Sequence, residues 1–176
     1  MRKIAVTGHR PDKLGWGYNY NDPRWIRLKE VFKQIIIDEI NDDIENGGDG
    51  IIELIEGAAL GVDTVYGIAA IELKSEGYKI KLVVAVPFHG QESRWPKESQ
   101  DIYKNILGHA DEVVYVSKGS YAAWKMQKRN EYMVDRADKL IAVYDETLKG
   151  TGTGNCVSYA RKKNRDIVYI NPNAFE

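Results

Sequence analysis

Read by hydropathy, the chain alternates between short runs of nearly continuous apolar residues and longer stretches in which apolar residues recur every three or four positions. The short runs are Lys3–Thr7, Ile51–Glu56, Lys81–Pro87, Glu112–Val116, Lys139–Tyr144 and Ile167–Ile170. Such runs suit strands covered on both faces, as in a parallel sheet. Between the first two, Trp25, Leu28, Phe32, Ile35, Ile36, Ile40 and Ile44 form one helical stripe. It opens at Asp22-Pro23, a capping side chain followed by proline in the first turn, and runs to about Glu45 before Asn46-Gly-Gly-Asp-Gly50 ends it. The residues Asp12 to Asp22 read as a long loop. Further helices are predicted over about Leu60–Ser75, with Val62, Val65, Ile68, Ala69 and Leu73 inward, and over about Lys97–Leu107. Two more follow, over about Ala122–Arg136, resting on Trp124, Met126, Tyr132, Met133 and Ala137, and over Cys156–Lys163. Strands alternating with helices imply parallel pairing through right-handed crossovers. The fold class is therefore α/β: a Rossmann-like, doubly wound, mostly parallel sheet of about six strands in a three-layer α/β/α sandwich.

Composition narrows this picture. The 176 residues fit a single domain over 1–176, long enough to bury roughly 70% of the unfolded surface without staples. Twenty-five basic and 26 acidic residues leave a net charge of −1, so no global field draws the chain to nucleic acid or to an anionic membrane. Nucleic acid is thereby disfavoured as a partner, and any anion site must be local. The single cysteine, Cys156, excludes an intramolecular disulfide, the N-terminus runs straight into a strand, and no apolar run is long enough to span a bilayer. These features predict a cytoplasmic protein with no membrane partner; a homo-oligomer stays open.

In an open parallel sheet all strand C-termini share one edge, and ligands bind beyond them where the connections diverge. Here that edge carries Thr7-Gly8-His9-Arg10-Pro11, Glu56 to Asp63, Phe88 to Trp95 and Gly150 to Asn155. At Glu56-Gly57-Ala-Ala-Leu-Gly61-Val-Asp63 a buried-strand pattern runs into a glycine turn that opens a helix, an arrangement that aims unpaired N–H groups at an anion. The run Gly150-Thr151-Gly152-Thr153-Gly154 offers a second such turn. Thr7, Thr151 and Thr153 supply hydroxyl donors, Arg10 a fork-shaped cation, and His9 a ring N–H for phosphate. Glu56 and Asp63 suit ribose hydroxyls. There is no G-x-G-x-x-G after the first strand and no G-x-x-x-x-G-K-[ST], which excludes a standard dinucleotide dehydrogenase and a P-loop NTPase. No paired His/Cys spacing predicts a metal, and none is expected. Cys156 falls near a helix start, where a thiolate is favoured, but without an identifiable base it reads as packing. Trp16, Tyr18, Tyr20 and Trp95 sit in loops beside the crevice, where they can stack on a base or anchor the loops in the core.

The motifs Thr7-Gly8-His9-Arg10-Pro11, Glu56-Gly57-x-x-x-Gly61-Val62-Asp63 and Arg129-Asn130-x-x-Met133-Val134-Asp135-x-x-Asp138, with the Gly/Thr loop after the fifth strand, resemble the SLOG superfamily in order and spacing, and within it the YpsA-like branch. The resemblance implies a Rossmann-like domain that binds nucleotides or their derivatives, with members suspected of sensing or processing NAD- or ADP-ribose-like ligands. The superfamily includes cytokinin-activating phosphoribohydrolases and DNA processing protein A. By this resemblance Gly8, Gly57, Gly61 and Asp63 match ligand-loop positions, and Arg129 and Asn130 the helix motif. The last loop departs from the phosphoribohydrolase pattern P-G-G-x-G-T-x-x-E: where that pattern has its glutamate, this chain has Cys156.

The leading expectation is a nucleotide-derivative binder that requires no cofactor and acts as sensor, sponge or carrier. One alternative is an enzyme cleaving an N-glycosidic or phosphoribosyl bond, with Glu56 or Asp63 as catalytic candidates. The other is a single-stranded nucleic-acid binder using Arg10, Arg94, Lys125, Lys128 and Arg129.

Overall fold

The computed structural model describes residues 1–176. Six strands, β1 (Arg2–Gly8), β2 (Ile52–Glu56), β3 (Ile80–Val86), β4 (Glu112–Tyr115), β5 (Lys139–Val143) and β6 (Asp166–Ile170), form one all-parallel sheet in the order β4-β3-β2-β1-β5-β6. The helices are α1 (Pro11–Leu14), α2 (Pro23–Glu45), α3 (Val62–Ser75), α4 (Lys97–His109), α5 (Ala123–Arg136) and α6 (Gly152–Lys162). From β1 to β4 the chain steps steadily towards one sheet edge, so right-handed crossovers put α2, α3 and α4 on one face. It then reverses to β5, and α5 and α6 cover the other. Burial follows the two-residue period of the strands: Ile4, Val6, Leu54 and Val84 enter a large core beneath α2, α3 and α4, whereas Ala5, Ile55 and Val83 enter a smaller one with Met133, Val134, Cys156 and Ala160.

This reversal makes β1 the switch strand. It pairs with β2 on one side and β5 on the other, and the connections that follow those two strands leave to opposite faces. The crevice therefore opens above the ends of β1 and β5.

Local chemistry accounts for the element starts. The Asp22 carboxylate accepts the Arg24 N–H at 2.9 Å and Pro23 fills the first turn, so α2 begins where the sequence predicts. Its apolar stripe is buried at Trp25, Leu28, Phe32, Ile36 and Ile40, while Ile44, in the last turn, is exposed.

Three expectations are corrected. The predicted loop Asp12–Asp22 begins inside a short helix, because Pro11 suits a first helical position. Its Trp16 is buried edge-on against Trp25, the ring centroids 4.7 Å apart. α6 starts at Gly152, four residues ahead of the predicted Cys156, because the Thr151 hydroxyl accepts the Gly154 N–H at 3.0 Å and caps the turn despite the poor helix propensity of glycine. The inward face of α5 is also rotated from the expected one. Trp124 is exposed, whereas Lys125, Arg129 and Asn130 are buried with Met133 and Val134. The N-terminal half of α5 faces a polar cleft rather than the core, so hydropathy misplaces its stripe.

At the opposite end of α5 the buried Glu53 receives a two-pronged contact from Arg136, at 2.8 and 3.0 Å, with Lys81 at 3.3 Å. Burial alone would raise the Glu53 pKa, but these partners outweigh it and hold it below the usual carboxylate range. A depressed acid contributes stability that is present above its unfolded pKa and lost as pH falls through its folded one. Arg136→Met is expected to cost about 2 kcal/mol at pH 7, reduced from the fully buried case because Arg136 is partly exposed. In urea titrations the gap from wild type should close as pH drops below about 4.5; a gap independent of pH would refute the assignment.

Candidate functional site

Beyond the ends of β1, β2 and β5 lies a cleft of about 240 Å³. One wall is the end of β1 and the start of α1: Thr7, Gly8, His9, Arg10, Asp12 and Lys13. Ala59 and Asp63 come from the β2–α3 turn, and Met126, Arg129, Asn130 and Met133 from α5. The Gly150–Thr153 segment at the start of α6 closes it.

Close packing at glycines makes this convergence possible. A Cβ on Gly8 would meet the Val62 side chain at 2.5 Å, so only glycine lets β1 end against the first turn of α3. A Cβ on Gly57 would fall 2.8 Å from the Arg129 guanidinium, whose Nη1 donates to the Gly57 carbonyl. Gly152 differs: its φ is ordinary and nothing lies within 4 Å of an added Cβ.

Several sequence-derived candidates lie outside the lining. Glu56 is 1% exposed, beneath the β2–α3 turn, and accepts the Ala58 N–H at 2.6 Å. Gly57 serves Arg129. Gly61, at φ 91°, donates to the Tyr20 hydroxyl at 2.9 Å and packs against Pro11 and Trp25. Gly154 is held in the α6 cap. The loop aromatics are also elsewhere: Trp16 and Tyr20 pack on Trp25, Trp95 packs on Tyr103, and exposed Tyr18 is not in the wall. Asp12, Lys13, Ala59, Met126 and Met133 were missed. Pro11 as a helix-start signal flags the first two; the methionines carry no local signal distinguishing cleft from core.

Arg129 dominates the electrostatics. Although 6% exposed, it makes no ion pair: its Nε donates to Asn130 Oδ1 at 3.0 Å and its Nη1 to a carbonyl. Burial lowers its pKa, partly offset by Asp63, and a guanidinium nonetheless stays charged. Asp63 accepts the Ala59 N–H at 3.2 Å, and burial raises its pKa against the pull of Arg129. Glu56 is pushed well above the usual range, first by burial and then by the Asp63 charge. Ala58, between them, adopts φ 60°, a strained conformation for a non-glycine residue. Its N–H is held by Glu56 and its carbonyl by Gln91 at 2.9 Å.

The His9 ring is buried, and burial lowers its pKa. Its Nε2 accepts the Asp145 N–H at 3.0 Å, which leaves the proton on Nδ1, where it meets no protein partner. Cys156 is fully buried, and burial pushes its thiol up to about 11, which fits packing and not nucleophilic attack.

A sequence model described as the YspA SLOG family (YpsA) matches residues 4–175. Among curated relatives, the SPbeta prophage-derived protein YoqJ of Bacillus subtilis is 32% identical, covering 80% of this chain and 84% of its own length. A UPF0398 protein of Brevibacillus brevis is 28% identical over 86% and 77%. Among solved structures, DNA processing protein A (DprA) from Streptococcus pneumoniae superposes with a TM-score of 0.64 at 16% identity, covering 97% of this chain and 50% of the other. DprA from Helicobacter pylori, in a structure concerned with its single-stranded DNA binding mode, gives 0.57 at 17%, covering 97% and 65%. This chain thus spans about half of the first and two thirds of the second. At these identities the likeness carries the fold. It also overturns the expectation that nucleic acid is disfavoured as a partner. Net charge reports only the far field, and a protein of this architecture binds single-stranded DNA.

No three His, Cys, Asp or Glu side chains are grouped to hold a metal ion. The buried acids instead generate a pH effect. An acid whose folded pKa is raised favours the folded state most below its unfolded pKa, and that advantage is lost as pH rises towards the folded value. Glu56→Gln, which keeps an oxygen for the Ala58 N–H, is expected to raise the unfolding free energy at pH 8 and to match wild type near pH 4. Denaturant titrations at the two pH values check this, and a difference from wild type that is the same at both would contradict a raised Glu56 pKa.

Proposed function

The chain is a member of the YspA SLOG family, and on that footing we propose that its cleft binds a nucleotide or nucleotide-derived ligand of the NAD or ADP-ribose kind. The observation that carries this reading is Arg129, a buried cation with no carboxylate partner, beside the capped start of α6. Asp63 offsets this buried charge without forming an ion pair with it, and a buried charge lacking a close partner is costly. A phosphate supplies the missing charge, accepts from the Arg129 fork and meets the α6 N–H groups. Arg10 and Lys13 add attraction at the rim, the His9 Nδ1–H offers a further donor, and Asp63 is the carboxylate for ribose hydroxyls.

Binding without turnover is the favoured mode, as a sensor, sponge or carrier in the cytoplasm. Bond cleavage at a sugar carbon asks for a carboxylate facing the ligand and a second group to move protons. Of the two candidate acids only Asp63 lines the cleft, Glu56 is sealed below the turn, and Cys156 occupies the place of the phosphoribohydrolase glutamate from within the core. These placements weigh against hydrolysis.

Native mass spectrometry and calorimetry with ADP-ribose, cyclic ADP-ribose, NAD, AMP, cyclic dinucleotides and a single-stranded oligonucleotide test the reading. The expected result is a small-molecule adduct that persists unchanged. Arg129→Met should weaken it by about 2 kcal/mol, or about thirtyfold, with circular dichroism checking the fold and Arg129→Lys recovering part of the loss. Release of base or ribose phosphate would instead make the protein an enzyme and direct attention to Asp63. Binding of the oligonucleotide alone, weakening steeply with salt, would replace the small-molecule reading.

A further inference from the structure

The loop Phe88–Trp95 ends at the same sheet edge as the cleft but contributes no residue to its lining. It reaches the cleft wall through one side chain. Gln91 opens a short 3-10 turn (Gln91–Arg94), and its Nε2 donates to the Ala58 carbonyl at 2.9 Å. That turn is anchored on α4: Gln100 donates to the Trp95 carbonyl at 3.0 Å, and the Trp95 ring stands edge-on to Tyr103 with centroids 5.4 Å apart. Gln91 is thus delivered from a fixed base.

What Gln91 grips is the strained residue of the β2–α3 turn. Ala58 sits at φ 60°, a conformation that a residue with a side chain keeps only when its surroundings hold it there. The Ala58 carbonyl and the Ala59 N–H belong to one peptide unit, and a peptide unit is planar, so fixing one end fixes the other. Gln91 holds the carbonyl end, and the Asp63 carboxylate accepts the N–H end at 3.2 Å. On either side of this unit, Glu56 accepts the Ala58 N–H at 2.6 Å and the Thr64 hydroxyl donates to the Ala59 carbonyl at 3.1 Å. Three of the four partners come from the turn's own flanks; Gln91 alone comes from beyond β3. Ala59 and Asp63 both line the cleft.

We infer that Gln91 is a positioning residue of the cleft: by holding the peptide between Ala58 and Ala59 it aims the Asp63 carboxylate at the sugar hydroxyls of the ligand and so sets the preference for ribose. This inference rests on the nucleotide reading of the cleft, in which Asp63 meets the ribose. Without the Gln91 donor, Ala58 relaxes out of the left-handed region, the peptide turns, and Asp63 loses the N–H that fixes its direction. Arg129 and the start of α6, which meet the phosphate, belong to other elements. The loss therefore falls on sugar recognition.

Calorimetry at pH 8 with AMP and 2′,3′-dideoxy-AMP tests this on wild type, Gln91→Ala, Gln91→Glu and the double variant Gln91→Ala/Ala58→Gly, with circular dichroism checking each fold. Wild type is expected to prefer AMP by about tenfold to a hundredfold. Gln91→Ala should cut that preference to about threefold or less, through weaker AMP binding and not through dideoxy-AMP. Gln91→Glu fills the same space without the amide donor and should behave alike, which also carries the test if Gln91→Ala does not fold. Adding Ala58→Gly removes the strain that drives the relaxation, so the double variant should recover most of the preference, a rescue that a packing role for Gln91 does not give. An unchanged preference in the Gln91 variants, equal loss for both nucleotides, or no rescue by Ala58→Gly overturns the positioning role and leaves the cleft reading standing. Equal binding of the two nucleotides by wild type overturns it as well, by removing Asp63 from sugar recognition. Binding of neither nucleotide overturns both readings.

Discussion

The contact between the Arg129 guanidinium and the Gly57 carbonyl ties the molecule together at the edge where the cleft opens. It joins the turn after β2, which leads to one helical layer, to α5 in the other layer, across the end of the sheet. Gly57 lacks a side chain because the guanidinium occupies that space. The positive charge acts on the acids nearby: it pulls the Asp63 pKa down against burial, and the Asp63 charge adds to the burial that raises Glu56. Loss of that cation would leave two buried carboxyls to settle their charges without a counterweight.

The fold was legible because its signals are local and repeated. Continuous apolar runs marked every strand, Asp22-Pro23 marked α2, and the alternation of strand and helix implied parallel order. The site was legible in part. Glycine turns at strand ends identified the edge, and Thr7, Arg10, Asp63, Arg129 and the Gly150–Thr153 segment all reach the cleft. Hydropathy cannot tell a residue that lines a cleft from one that lies beneath it, so Glu56 and Asp63 looked equivalent although one is sealed and the other faces outward.

The errors share a cause. α5 was given the apolar stripe of a core helix, yet its first half faces polar groups and buries Lys125 and Arg129, while Trp124 points away. Glycine in the α6 start suggested loop, yet a single threonine hydroxyl was enough to begin the helix. In both places a tertiary partner overrode an average preference. Departures of this kind gather at the cleft edge and leave the sheet unaffected, as expected where a functional surface is assembled on an otherwise self-consistent fold.

Gly152 gives that surface a different character from its neighbours. Gly8 and Gly57 are fixed by what they touch, but position 152 has ordinary backbone geometry and open space where a side chain would stand. A mutation there adds chemistry to the cleft without disturbing the scaffold. On the proposed binding role, a single replacement at position 152 changes what the cleft prefers while the residues that build the edge stay as they are.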